Sequence, residues 1–161
     1  MPVVTLNPLE REIACLIAVR RREAALARRV TDRQHAERSA FFIELQGVCG
    51  ELVVAKWLGV WPETDFGLDH RSYDLKTPNM KWRIDVKTTE HVGGRLIIPV
   101  RRRKGGCDIF VLVTGEMPRY TIAGWIWEAT LFERKPVMWN RAMVYLCGQG
   151  EMAKPIEMRE M

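Results

Sequence analysis

The sequence predicts an α/β fold: two long helices followed by a mixed sheet of about five strands. Three observations carry this. Apolar residues recur at helical spacing until Gly59; beyond it they shorten to strand-length runs that alternate with polar residues. The third is size, since 161 residues without a linker, repeat or low-complexity stretch suffice for a single domain with one core. On pattern alone, α/β and α+β layouts are both admitted.

Asn7, Pro8 and Glu10 spell a helix start, with an amide cap, a proline where its missing N–H is not needed, and a carboxylate at the third position. A first helix over residues 8–30 follows, with Leu9, Ile13, Leu16 and Ile17 as its apolar stripe. Arg20, Arg21, Arg22, Arg28 and Arg29 make its second half basic. Thr31 and Gln34 repeat the capping signature and open a second helix that Gly59 stops. Its stripe passes through Phe41, Leu45, Val48, Leu52 and Ala55, and two helices thus precede any strand. Strands are expected over residues 73–77, 82–89, 95–100, 108–114 and 120–127. Pro78-Asn79 and Gly93-Gly94 join the first three as a meander. Residues 128–161 lack a clean period and are expected to form a short helix or two.

Composition bounds the function. With 47% hydrophobic and 28% charged residues the chain reads as soluble and globular, and no apolar run approaches the ~18 residues of a membrane span. No membrane partner is expected. Residues 1–10 lack the basic, apolar and small-residue succession of a secretory signal, so a cytoplasmic location is expected. Cys15, Cys49, Cys107 and Cys147 are too dispersed for a zinc site and read as reduced thiols. A formal charge of +5 favours a polyanionic partner.

A carboxylate followed two residues later by lysine occurs at Asp74-Leu75-Lys76, Asp85-Val86-Lys87 and Glu133-Arg134-Lys135, so the tripeptide alone decides nothing. Placement does. Trp82, Ile84 and Val86 alternate onto one strand face, and Arg83, Asp85 and Lys87 onto the other. A symmetric turn centred between Asn79 and Met80 places Asp74 directly opposite Asp85 on the same face. Facing carboxylates repel, and a divalent cation is the simplest remedy; Mg²⁺ typically takes one or two carboxylates plus water and substrate phosphate. Lys87 beside them would orient an attacking water or neutralise charge on phosphorus. The alternative is a solvated hairpin on which the two acids pair separately with Arg83 and Lys76. Glu51 flanks the apolar stripe of the second helix, where solvation explains it poorly; it is either a third acid of the site or a boundary glutamate paired with a nearby arginine. Gly47 and Gly50 on the same helix permit close approach of a sheet or a substrate backbone.

In order and context these residues resemble the PD-(D/E)xK nuclease superfamily, which includes restriction endonucleases, Holliday-junction resolvases and small phage and prophage nucleases. Gly50-Glu51 with Leu52, Val53, Ala55 and Leu58-Gly59 is similar to the family's first core helix. Tyr73-Asp74-Leu75 is similar to its first acidic motif, and Ile84-Asp85-Val86-Lys87-Thr88 to its second acid and lysine. The resemblance spans about residues 47–127 and divides the chain into a basic helix (1–32), a nuclease core (33–127) and an extension (128–161). It implies a restriction-endonuclease-like core and a Mg²⁺-dependent endonuclease acting on DNA, with Mn²⁺ able to substitute. It further implies that Asp74, Asp85 and the Val86 carbonyl ligate metal, that Glu51 binds it through water or takes a second ion, and that Lys87 serves the attacking water. A homodimer and, for a phage-encoded member, the host cytoplasm are compatible with it. Tyr73 stands where the family has proline, and Asp85 where glutamate is commoner. The family's helix between the third and fourth strands has little room between Val100 and Asp108. That stretch, Arg101, Arg102, Arg103 and Lys104, reads instead as a DNA-gripping loop, or as a solvated turn. His91 and Trp82 read as a surface residue and a core residue. A catalytically inactive nuclease-fold protein that binds DNA or serves assembly is the alternative function.

Overall fold

The computed structural model describes residues 1–27, 40–61 and 73–159. Their elements are β1 (Val3–Thr5), α1 (Pro8–Ala27), α2 (Ala40–Leu58), β2 (Leu75–Lys76), β3 (Arg83–Thr89), β4 (Leu96–Pro99), β5 (Ile109–Glu116), β6 (Arg119–Trp127), α3 (Glu128–Phe132), β7 (Val137–Trp139), β8 (Ala142–Cys147) and α4 (Pro155–Arg159). The expectation that helices come first is corrected by β1, whose three residues are too few to register as a period and which is held by pairing with β6. The start of α1 is capped reciprocally: the Asn7 N–H donates to Glu10 Oε2 at 2.7 Å, and the Glu10 N–H to Asn7 Oδ1 at 2.9 Å. Gly59 ends α2 at a φ of +71°. The expected cap at Thr31 and Gln34, and Arg28 and Arg29, lie outside the described residues.

The stripe expected on α1 is half right. Leu9 and Leu16 are exposed, whereas Ala14, Ile17 and Ala18 are buried. Small alanines let α1 lie close on α2, so the buried face turns from the large residues to the small ones. From Val48 to Ala55 every residue of α2 is buried, because it packs between α1 and β3.

β1, β6, β5, β3 and β2, in that order, form a mixed five-stranded sheet; β3 and β5 run parallel, and every other pair is antiparallel. Central β5 is buried along six residues, as a strand covered on both faces must be. Its Ile109, Val111 and Val113 face the helices, while Phe110 joins a second core with Ile126, Leu96, Ile98 and Tyr145. The parallel pair β3 and β5 requires a crossover. Here the crossover contains β4, which leaves the main sheet and pairs with β8 in a second sheet of order β4-β8-β7.

The expected three-strand meander therefore stops after β3. Leu96 and Ile98 are fully buried against the far face of the main sheet, which would otherwise expose Phe110 and Ile126. Residues 128–159 also differ from expectation, since the hairpin β7–β8 lies between the short helices. Its two turn residues, Asn140 and Arg141, have φ of 43° and 64°, the geometry usually advertised by Asn-Gly.

Candidate active site

The register of the acidic hairpin is the one turn symmetry predicts. Leu75 pairs with Ile84 and Lys76 with Arg83; Asp74 follows just outside this ladder, its N–H donating to the Ile84 carbonyl at 2.7 Å, one position off the pairing. β2 ends there, and among the described residues no strand pairs with β3 beyond Ile84 on that side. The Asp74 side chain takes over where the ladder stops, its Oδ2 accepting the Val86 N–H at 2.7 Å. A strand residue sends its amide and carbonyl to the same edge, so the Val86 carbonyl opens on this side too.

Glu51 reaches the same place from α2. It is buried, and both its oxygens are held by one guanidinium, with Arg21 Nη1 and Nη2 each at 2.6 Å. Glu44 Oε1 lies 3.7 Å from Arg21 Nη1. Burial works against the charge of Arg21, but the hydrogen bonds and the charges of Glu51, Asp74 and Glu44 outweigh it and raise its pKa above the ordinary arginine value. A bidentate arginine–carboxylate fork is the strongest of the charged pairings.

Asp85 is equally committed. It is buried, with Lys87 Nζ on one oxygen and an Arg102 nitrogen on the other. Arg102 thus turns inward from the basic loop, whereas Arg101, Arg103 and Lys104 are exposed, with the Lys104 ammonium 5.3 Å from the Phe132 ring centre. Arg83 and Lys76, the alternative partners weighed for the two acids, are elsewhere: Arg83 donates from Nε and Nη2 to the Asp108 carboxylate, each at 3.0 Å, and the Lys76 ammonium stands over the Tyr73 ring.

Asp74 stands apart from the other two acids. The Val86 N–H is the hydrogen bond its carboxylate receives among the described residues, and its pKa is pushed up to about 8. Burial is the largest cause, followed by the charges of Glu51 and Asp85; Lys87 and the Val86 amide pull the other way without prevailing. A group under that like-charge pressure near neutral pH takes either a proton or a cation.

These residues border a pocket of about 510 Å³ lined by Arg21, Glu51, Asp74, Val86, Lys87 and His91, among others. Asp85 lies behind the wall, holding Lys87. Gly47 faces the pocket with open space, whereas Gly50 sits on the Thr88 hydroxyl so closely that a Cβ could not fit. Among the described residues no three His, Cys, Asp or Glu side chains converge to hold a metal ion. An ion here would rest on one or two carboxylates, the Val86 carbonyl and water, a donor set that Mg²⁺ accepts.

Sequence reasoning offered Glu51 an arginine partner without naming Arg21, and missed the inward turn of Arg102. The first had a signal, because Arg21 continues the buried face Ala14, Ile17, Ala18 at helical spacing. The second had none, since nothing separates Arg102 from its neighbours in the run 101–104. Trp82 packs against the main core and His91 is exposed, both as read. All four cysteines are free thiols. No described helix is long and apolar enough to cross a membrane. Compared with family models, curated proteins and solved structures, the chain gives no match.

Proposed function

We propose that the chain is a Mg²⁺-dependent deoxyribonuclease with a restriction-endonuclease-like core, hydrolysing DNA phosphodiester bonds in the pocket between α1, α2 and the open edge of β3. One observation carries the reading: Asp74, close enough to Glu51 and Asp85 to feel their charge, keeps one carboxylate oxygen uncommitted among the described residues, with Lys87 on the same pocket wall. Asp74 and the Val86 carbonyl would hold the ion directly, and Asp85 or Glu51 would serve as the further carboxylate only on giving up a cation that now holds it. When bound, the ion supplies Lewis acidity at a phosphoryl oxygen and a lowered pKa for a water.

The chain's own residues do the rest. Asp74 is positioned by its backbone pairing and by the Val86 amide, so little reorganisation is needed at the moment of reaction. Lys87, tethered to buried Asp85, presents its ammonium at a fixed place and would stabilise negative charge building on the non-bridging oxygens as water attacks in line. Asp85 thereby orients Lys87, and Arg102 balances the remaining charge of Asp85.

A second reading has its own support. Arg21, Lys87 and Arg102 already neutralise Glu51 and Asp85, as they would in an inactive DNA-binding or assembly protein of this fold. Incubation of the purified protein with supercoiled plasmid and with single-stranded DNA in Mg²⁺ or Mn²⁺ separates the two. The nuclease reading expects nicking or degradation that falls at least ~100-fold in Asp74→Ala, Asp85→Ala and Lys87→Ala proteins that still melt cooperatively. Retention of DNA without cleavage points to the binding module, and full activity in a folded Asp74→Ala protein sinks the site assignment.

A further inference from the structure

α1 carries several arginines, yet Arg21 is the one that lines the pocket. Its side chain is 27% exposed, and its two terminal nitrogens are spent on the two oxygens of Glu51. The fork that fits a carboxylate in this way fits a phosphate equally well. Glu51 lies on the same pocket wall, so while Arg21 stays occupied an entering phosphate meets the carboxylate and not the guanidinium. An exchange of partners removes that barrier, because the bidentate pairing is conserved as the guanidinium passes from carboxylate to phosphate.

We propose that Arg21 is the residue that grips the substrate's phosphodiester, held in reserve by Glu51 until the nucleic acid takes it over. The proposal rests on the nuclease reading and deepens it: α1 becomes part of the substrate site rather than a solvated basic helix. Glu51, once released, stands near Asp74 as a second open carboxylate. Nucleic acid and a divalent cation then favour one another's binding, with a coupling that is necessarily reciprocal.

The decisive measurement needs neither metal nor turnover. Binding of the full chain to a short fluorescent DNA duplex and to the matching single strand is followed by anisotropy in EDTA over a range of salt. Glu51→Gln, which keeps shape but loosens the hold on Arg21, is expected to tighten binding by about tenfold, and Arg21→Ala to weaken it by about tenfold. The slope of log affinity against log salt is expected to fall by about 1 in Arg21→Ala and to recover in Arg21→Lys, which keeps the charge and loses the fork. Thermal melts show that each variant is folded. Should Glu51→Gln and Arg21→Ala move affinity in the same direction, or not at all, Arg21 is an internal counter-ion and the proposal is overturned. If the unaltered protein shows no salt-dependent DNA binding, the nuclease reading itself falls and takes the proposal with it.

Discussion

Asp74 is where the physics of the site concentrates in one side chain. The folded protein holds its proton up to about pH 8, whereas an unperturbed aspartate releases it near 3.8. Between those values the folded state binds the extra proton, so the contribution of this group to stability falls as pH rises through the window. Metal-free protein is therefore expected to lose Tm between about pH 5 and about pH 8, and Asp74→Asn to flatten that decline by a few degrees, as thermal melts at constant ionic strength would read. Added Mg²⁺ is expected to raise the Tm of the unaltered protein near pH 8 and to leave Asp74→Asn unmoved, because a ligand that binds only the folded state stabilises it. An Asp74→Asn protein with the original pH slope would place the perturbed proton on another group. The pairing of Leu75 with Ile84 and of Lys76 with Arg83 was legible in the sequence because hairpin register follows from turn symmetry alone. The cations beside the acids were legible only in part: Arg21 continues the buried helical face of Ala14, Ile17 and Ala18, but nothing local announces that its partner is Glu51, 30 residues away.

Elements make the pocket by how closely they approach. Gly50 sits on Thr88 of β3, so a methyl group there must push α2 off the sheet; Gly47 has nothing within 4 Å. Gly50→Ala is expected to destabilise by about 1–3 kcal/mol through overpacking, against any gain in helix propensity. Gly47→Ala is expected to stabilise by up to ~1 kcal/mol while narrowing the pocket mouth. Denaturant unfolding of the two variants tests the contrast, and equal effects would mean that α2 does not pack on β3 through Gly50. The sequence identified both glycines as sites of close approach, and the two environments turn out to differ.

At the start of α1, Asn7→Ala removes the acceptor for the Glu10 amide and is expected to cost about 1 kcal/mol in the same assay. Where β3 and β5 begin, Asp108 accepts from the Arg83 backbone and guanidinium, which lowers its pKa. Its contribution is present above the ordinary aspartate value and is lost as pH falls through the depressed one, so it bears on acid unfolding alone. The path of β4 was unreadable, because Leu96 and Ile98 would suit either sheet; which one they cover depends on Phe110 and Ile126, distant in sequence and adjacent in the fold.

At the scale of the molecule, charge and topology act together. A net charge of +5 predicts salt-sensitive association with nucleic acid; retention of DNA is expected to fall by at least ~10-fold as salt rises from about 50 to about 200 mM, with Arg101→Ala and Arg103→Ala weakening it uniformly across sequences. Salt-independent retention would count against a phosphate-directed surface. The mixed sheet positions the pocket where β2 stops short along β3, and among the described residues the edge of β3 there is met by the Asp74 side chain and the pocket. By itself the sequence determined the capped first helix, the glycine stop after α2, the five β-rich runs and the register of the acidic hairpin, because each depends on neighbours within a turn, a helical repeat or a hairpin. Only the tertiary structure decided that β4 leaves the sheet, that Arg102 turns inward and that Arg21 occupies Glu51. Those outcomes are settled by which distant apolar surfaces need cover and which buried carboxylates need a cation, and neither demand exists until the chain has folded.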